Sequence, residues 1–240
     1  MPQQDMPWEV FQRIVDAIPE TRVIVSLQGE GEPSLHPQFE EMAAYVTARG
    51  HRPYTILNGS RIHAQQLAAL FPTLGISIDS LDAQFAEQTG RHNLPKVLRN
   101  LQDLCEVMSP KRIIIMTVDM GQPLDELRAW VKNKDFGRHI IQPLSPKSDY
   151  ARHYTVSTST LQSRQLPSTC RFLEQTSHRF FTWTGQELPC AFMKDPVDYR
   201  SRQDARQKLR QGERMQCCHG CPQLRPLSVH RSFPAPSTAR

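Results

Sequence analysis

Between residues 8 and 144 the chain alternates between a helical and an extended hydrophobic period, and this rhythm limits the fold more than any other feature. Trp8, Phe11, Ile14, Val15 and Ile18 form a stripe at helical spacing, and an extended run follows over residues 22–27. Phe39, Met42, Ala43 and Val46 make the next helix, stopped by Gly50 and followed by a strand over 54–57. Leu67 and Leu70 precede a strand over 74–78, and the stripe from Leu94 to Met108 precedes one over 112–118. Leu124, Leu127, Trp130 and Val131 precede a last strand over 139–144. Strands regularly separated by helices join in parallel, with the helices as crossovers. The apolar run Ile113-Ile114-Ile115-Met116 predicts a strand buried on both faces. The expected fold class is therefore α/β: a partial (β/α) barrel of parallel strands over 1–144. A linker is expected over 145–169, a small cysteine-rich module with a β-hairpin over 170–222, and a disordered tail over 223–240.

The module is defined by Cys170, Cys190, Cys218 and Cys221. Cys218-His219-Gly220-Cys221 offers two sulfurs from one turn. The segment between Cys170 and Cys190 reads as a hairpin turning at Gly185, which carries Cys190 back toward its start. Thiolates from two separated stretches that folding brings to one point suit a metal ion or an iron–sulfur cluster. Disulfides, or plain core cysteines, are the alternative. They are disfavoured because nothing at the N-terminus resembles a secretory signal and no apolar run approaches a membrane span, so the expected compartment is the reducing cytoplasm. Cys217, beside Cys218, is the substitute ligand if the register is one residue off. Cys105 falls on the stripe from Leu94 to Met108 and is expected to be a buried core residue.

Charge divides unevenly. Residues 1–144 carry 14 basic and 17 acidic side chains and residues 145–240 carry 15 and 7, so a net −3 is followed by a net +8. The excess centres on Arg200, Arg202, Arg206, Lys208, Arg210 and Arg214. A solvated face is the preferred reading over a nucleic-acid surface, because no aromatic residues are interleaved for base stacking.

Functional groups in parallel sheets gather where strands end. The first strand runs into Gly29-Glu30-Gly31-Glu32-Pro33, the second into Asn58-Gly59, and the third into Ser77-Ile78-Asp79. Gly31 permits close backbone approach, Pro33 fixes the exit, strand-end carbonyls can accept bonds from an ammonium group, and Glu32 adds negative charge. Asn58, Ser77 and Asp79 suit hydroxyls or a ribose. Ordinary turns at Gly-Glu-Pro and Asn-Gly, with Ser77 or Asp79 capping a helix, are the plain alternative.

These residues carry a resemblance. Val25-Ser-Leu-Gln-Gly-Glu-Gly-Glu-Pro-Ser-Leu-His-Pro resembles the glycine-Glu-Pro motif of radical S-adenosylmethionine (radical SAM) enzymes. Leu57-Asn58-Gly59, Ile76-Ser77-Ile78-Asp79, Phe85 and Gly90 are similar to the stations that follow it, and 170–221 is similar to the family's SPASM or shorter twitch module. The resemblance implies that Gly31, Glu32 and Pro33 bind the cofactor's methionine amino group and that Asn58, Ser77 and Asp79 lie near its ribose. It further implies that Cys170, Cys190, Cys218 and Cys221 hold one auxiliary [4Fe-4S] cluster.

The family's Cys-x3-Cys-x2-Cys loop is not found in this sequence, and no other residue type supplies an open iron site. The resemblance thus implies a truncated relative, inactive for radical generation as it stands, or a piece of a longer enzyme, or a chain completed by a partner. Without the strand that precedes that loop, residues 22–27 become a sheet edge with an apolar face, a setting for association. The expected activity is oxidoreductase or peptide- and small-molecule-modifying chemistry, with a peptide, protein or small-molecule substrate and an electron donor. No membrane or nucleic-acid partner is expected. The competing expectation is a non-enzymatic protein whose four thiolates hold zinc and staple a basic binding module.

Overall fold

The computed structural model describes residues 4–29, 31–144, 167–175, 177–193, 198–219, 221 and 223–227. They fall into two units, one within Met1–Leu144 and Trp183–Gly185, the other within Ser145–Thr182 and Gln186–Arg240.

In the first unit, α1 (Trp8–Asp16) buries Phe11 and Val15 against Met42 and Val46 of α2 (Phe39–Ala48), with Val25 of β1 (Ile24–Ser26) packed alongside. The edge-on ring contacts of Trp8 and Phe11 with Tyr45 close this small core. β1 runs parallel to β2 (Arg52–Tyr54). After a one-residue break at Thr55 the strand resumes as β3 (Ile56–Leu57), the first member of a parallel sheet ordered β3-β4-β5-β6. Its other members are β4 (Leu74–Ser77), β5 (Ile113–Asp119) and β6 (Arg138–Pro143). The crossovers are α3 (Ala64–Leu70), α4 (Ala83–Gln88) with α5 (Leu94–Val107), and α6 (Asp125–Asn133).

One face of this sheet meets the helices. Leu57, Leu74, Ile76, Ile113 and Ile115 are fully buried there against Leu67, Leu101, Leu104 and Leu127. Each such side chain contributes about 1.5–3 kcal/mol of transfer free energy. The opposite face differs from the sequence expectation. Ile113, Ile115 and Thr117 are buried, whereas Ile114, Met116 and Val118 are only half-buried. The helices lie on a single side, as in a barrel segment, so the apolar run does not reflect burial on both faces. Cys105 is likewise half-buried, packed against the rim of the core, and burial pushes its thiol pKa up. Among the described residues β1 pairs only with β2, and Ile24 on it is 68% exposed. α4 was not anticipated. Asp82 starts it by accepting the amides of Gln84 and Phe85 on one carboxylate oxygen at 2.7 and 3.1 Å.

The second unit contains β7 (Ser168–Cys170), α7 (Arg171–Glu174), the hairpin β8 (Phe180–Phe181) with β9 (Glu187–Leu188), α8 (Arg202–Arg210) and β10 (Leu224–Pro226). The expected hairpin is present, with Gly185 at φ +85° in its turn. β10 lies antiparallel to β7, with Leu224 opposite Cys170. This corrects two expectations: ordered strand begins at Ser168, inside the segment read as a linker, and Leu224–Pro226 is strand where a tail was expected. Leu224 supplies an apolar anchor by packing against the cluster that contains Cys170. The remaining residues of the expected linker and tail, 145–166 and 228–240, lie outside the described residues.

Candidate functional site

The end of β1 is tied to the next strand before the glycine-rich loop begins. Leu27 donates its amide to the Tyr54 carbonyl at 2.7 Å and accepts the Thr55 hydroxyl at 2.7 Å. Past Gly31, the Glu32 carboxylate turns back into the protein. One oxygen accepts the Asn58 amide at 2.7 Å; the other accepts the Ser34 amide at 3.3 Å and its hydroxyl at 2.7 Å. Glu32 is therefore a clasp between the β1 loop and the end of β3, where the sequence suggested a charge offered to a ligand. Its carbonyl and that of Pro33 also accept bonds, from Leu35 and His36. Among the described residues, no hydrogen bond reaches the Gly31 carbonyl, and a side chain placed on Gly31 would meet nothing within 4 Å. The space expected beside this glycine is present, and among the described residues of the loop from Gly31 to Pro33 the carbonyl left to accept a ligand ammonium is that of Gly31.

Asn58 and Gly59 form a turn. The Asn58 side chain accepts the Ser60 amide at 2.8 Å, and Asn100 donates to the carbonyls of Gly59 and Ser60 at 2.9 and 3.2 Å. Gly59 has φ +78°, and a Cβ there would lie 2.7 Å from a Val97 methyl. The residue must be glycine for packing as well as for backbone conformation.

At the end of β4 the sequence reading divides. Ser77 is half-buried on the face away from the helices. Asp79, read as a ribose-facing group, is instead only 4% exposed and fully engaged by the protein. Arg91 Nε donates to one oxygen at 2.7 Å and the Val118 amide to the other at 2.7 Å, while Gln122 bonds the Asp79 and Val118 carbonyls, both at 2.8 Å. Beside it, Thr117 donates to the Ile78 carbonyl at 2.6 Å and accepts from His139 Nε2 at 2.9 Å. Burial, followed by the Arg128 charge, lowers the His139 pKa below its ordinary value. Arg91, Gln122, Thr117 and His139 were not singled out by sequence reasoning. Thr117 and Gln122 reach Ile78 and Asp79, and His139 reaches Thr117, because β4, β5 and β6 are neighbours in the sheet, while Arg91 arrives from the turn after α4.

In the second unit Cys170 is buried in an apolar cluster with Leu173, Leu188, Met193, Ala205, Leu209 and Met215, and Cys190 and Cys218 pack against it. Cys221 follows one short turn later, its amide donating to the Cys218 carbonyl at 3.2 Å, and Leu224 beyond it faces Cys170 across the β7–β10 ladder. The fold thus brings the two halves of the cysteine pattern into one neighbourhood. The side chain of Cys217 lies outside the described residues. Among the described residues, no group of three or more His, Cys, Asp or Glu side chains has the geometry to hold a metal ion, and nothing supports the zinc-stapled alternative.

The basic stretch is α8 and its flanks, and much of its charge is used locally. Arg206 and Arg210 face Glu174 at 3.8 and 3.3 Å, and Lys208 faces Asp204 at 2.9 Å. Arg202 donates to the carbonyls of Phe172, Gln175 and His178, closing the end of α7. No helix among the described residues is long and apolar enough to cross a membrane.

Comparison with known proteins places this geometry in context. No curated protein matches the chain. Among solved chains that match is one described as "Structure of TYW1 with a lysine-pyruvate adduct bound", 19% identical over 50% of this chain and 41% of that chain, with a TM-score of 0.39. The family model of the radical SAM superfamily matches residues 1–132, more than half of the sequence, and the chain belongs to that superfamily.

Proposed function

We propose that the first unit binds S-adenosylmethionine at the strand ends around Gly31, and that the second unit holds one auxiliary [4Fe-4S] cluster through Cys170, Cys190, Cys218 and Cys221. The observation that carries the cofactor half of this reading is the superfamily match over residues 1–132. The open space at Gly31 supports it, and the packing of Cys170, Cys190 and Cys218 in one apolar cluster supports the other half. S-adenosylmethionine with a reduced iron–sulfur cluster supplies one-electron, hydrogen-abstracting chemistry of the oxidoreductase or peptide- and small-molecule-modifying kind.

The chain's own residues prepare the cofactor's place. Glu32 ties the glycine loop to Asn58 and fixes where the Gly31 carbonyl points, so an ammonium group meets a pre-set acceptor. Asn58 and Gly59 hold the neighbouring strand end, and Ser77 offers a hydroxyl on the face away from the helices. Asp79 contributes by position, locking the ends of β4 and β5 together. The sequence contains no Cys-x3-Cys-x2-Cys, so no residue of it is assigned to the cluster that cleaves the cofactor. An electron donor and a substrate are the partners this reading requires, and the cluster that cleaves the cofactor would be held by a segment outside this sequence, on the same chain or on another.

Anaerobic reconstitution with iron and sulfide tests the proposal. The expected product is brown, and its bound iron falls to background in Cys190→Ala and Cys218→Ala. Calorimetry should detect S-adenosylmethionine binding that Gly31→Val removes. A colourless reconstituted protein that retains no iron would sink the cluster assignment. Unchanged cofactor binding in Gly31→Val would sink the other.

A further inference from the structure

The sheet face turned away from the helices carries a group that the proposed function does not use. Ile56, Gly75, Ile114 and Arg138 stand in register across the four parallel strands, so their side-chain positions share this face. Gly75 leaves a gap in the row. A Cβ on it would lie 2.9 Å from Ile56, 3.1 Å from the Tyr54 hydroxyl and 3.2 Å from Met116. The Tyr54 ring therefore lies across β4 where a side chain is missing, and its hydroxyl reaches in among Ile56 and Met116. Among the described residues that hydroxyl has no hydrogen-bond partner, and the Arg138 guanidinium has neither a hydrogen bond nor an ion pair. Burial raises the Tyr54 pKa, and the Arg138 charge offsets part of the rise. The strand positions sharing this face carry Arg52 and Arg138 and no carboxylate.

We propose that this face binds a small organic acid, its carboxylate gripped between the Tyr54 hydroxyl and the Arg138 guanidinium, its apolar body resting on Ile114, Met116 and Ile140. A planar guanidinium matches a carboxylate in two parallel hydrogen bonds, and a phenol O–H adds a third donor. The half-buried aliphatic surroundings favour a monoanion with an apolar body over phosphate, whose second charge costs more to take out of water. The proposal names a substrate class for the sheet used in the proposed function. It rests on that reading only for the idea that a substrate lies here.

The test follows methyl signals of Met116 and of the isoleucines by nuclear magnetic resonance in the full chain, titrated with benzoate and, separately, with benzamide and inorganic phosphate. Benzoate should shift Met116 and Ile114 and saturate, and both comparators should bind at least about tenfold more weakly, the loss expected when a charged hydrogen-bonding group is removed. Arg138→Gln should weaken benzoate by about tenfold and Tyr54→Phe by about threefold, with Arg138→Lys recovering part of the loss. Gly75→Ala, which changes no charge but displaces the phenol, should also weaken it. Far-ultraviolet circular dichroism on each variant checks that the fold is kept. Equal affinity for benzoate and benzamide, tighter binding of phosphate, or unchanged affinity in Arg138→Gln would overturn the site. Binding of S-adenosylmethionine, measured on the same samples, should be untouched by Arg138→Gln. Its loss in the unmodified protein would count against the cofactor reading and leave the benzoate result to be judged by itself.

Discussion

Glu32 and Asp79 are both carboxylates just beyond the end of a parallel strand, yet the two regions they serve are in opposite states. Both carboxylate oxygens of Asp79 and its carbonyl are taken by the protein: Arg91, the Val118 amide and Gln122 converge on it at 2.7 to 2.8 Å, and it is almost wholly buried. Around Glu32 the carboxylate is used in the same inward way, but the adjacent Gly31 faces open space. A charged residue at a strand end therefore says little about ligand binding by itself. The informative group is the backbone beside it, whose hydrogen-bonding capacity is left over once the side chains are paired.

Substitutions at the two ends sharpen this contrast. Asp79→Ala strands Arg91 and the Val118 amide, and should cost about 3 kcal/mol in chemical denaturation, at the lower end for a broken buried pair because Arg91 keeps some contact with water. A loss below about 1 kcal/mol would place Asp79 with the exposed ion pairs. Gly59→Ala forces a side chain into a left-handed conformation against Val97 and should cost about 2 kcal/mol, with the whole effect on stability. Gly31→Val should move the denaturation midpoint by less than about 0.5 kcal/mol equivalent while removing cofactor binding, since nothing packs there. If Gly31→Val proves as destabilising as Gly59→Ala, the β1 loop is closed and the contrast fails.

The smallest expected effect is on pH dependence. His139 has a pKa lowered in the folded chain, so below its ordinary value of 6.5 the unfolded chain takes up the proton first. Stability should be flat above about pH 6.5 and decline as pH falls toward the folded value, and His139→Gln should remove that part of the slope. A decline that begins at higher pH, or one unchanged by the substitution, assigns it to another group.

Some of this was legible from residue order and some was not. Strands over Ile24–Ser26, Leu74–Ser77, Ile113–Asp119 and Arg138–Pro143 stand where hydrophobic period placed them, because burial against helices imposes that period directly. α4 was missed although Asp82 precedes good helix formers, since its six residues are too few to show a repeat. The partnering of Asp79 with Val118, 39 residues away, had no local signature at all. The same holds for Tyr54, whose placement depends on a glycine one strand over. Sequence patterns report what a residue is beside in the chain, and these roles are set by what it is beside in the sheet.

The one-residue interruption at Thr55 has a consequence for how the molecule opens. Two ladders meet there, and each has a separate apolar cluster: Phe11, Val15, Met42 and Val46 behind β1 and β2, and the larger group around Leu74 and Ile115 behind β3 to β6. They are joined by α2, which gives Phe39 and Ala43 to the larger cluster and Met42 and Val46 to the smaller, by Leu27, which packs against both, and by the Thr55 hydroxyl on Leu27 and the Gly75 amide on the Thr55 carbonyl. The short ladder of β1 and β2 is expected to exchange its amide hydrogens before β4 and β5, whose Leu74, Ile76, Ile113 and Ile115 are fully buried. The glycine loop bridges the seam between the ladders, leaving β1 on one side and held by Glu32 to Asn58 on the other, so an excursion of the smaller ladder would have to break the clasp that sets the Gly31 carbonyl.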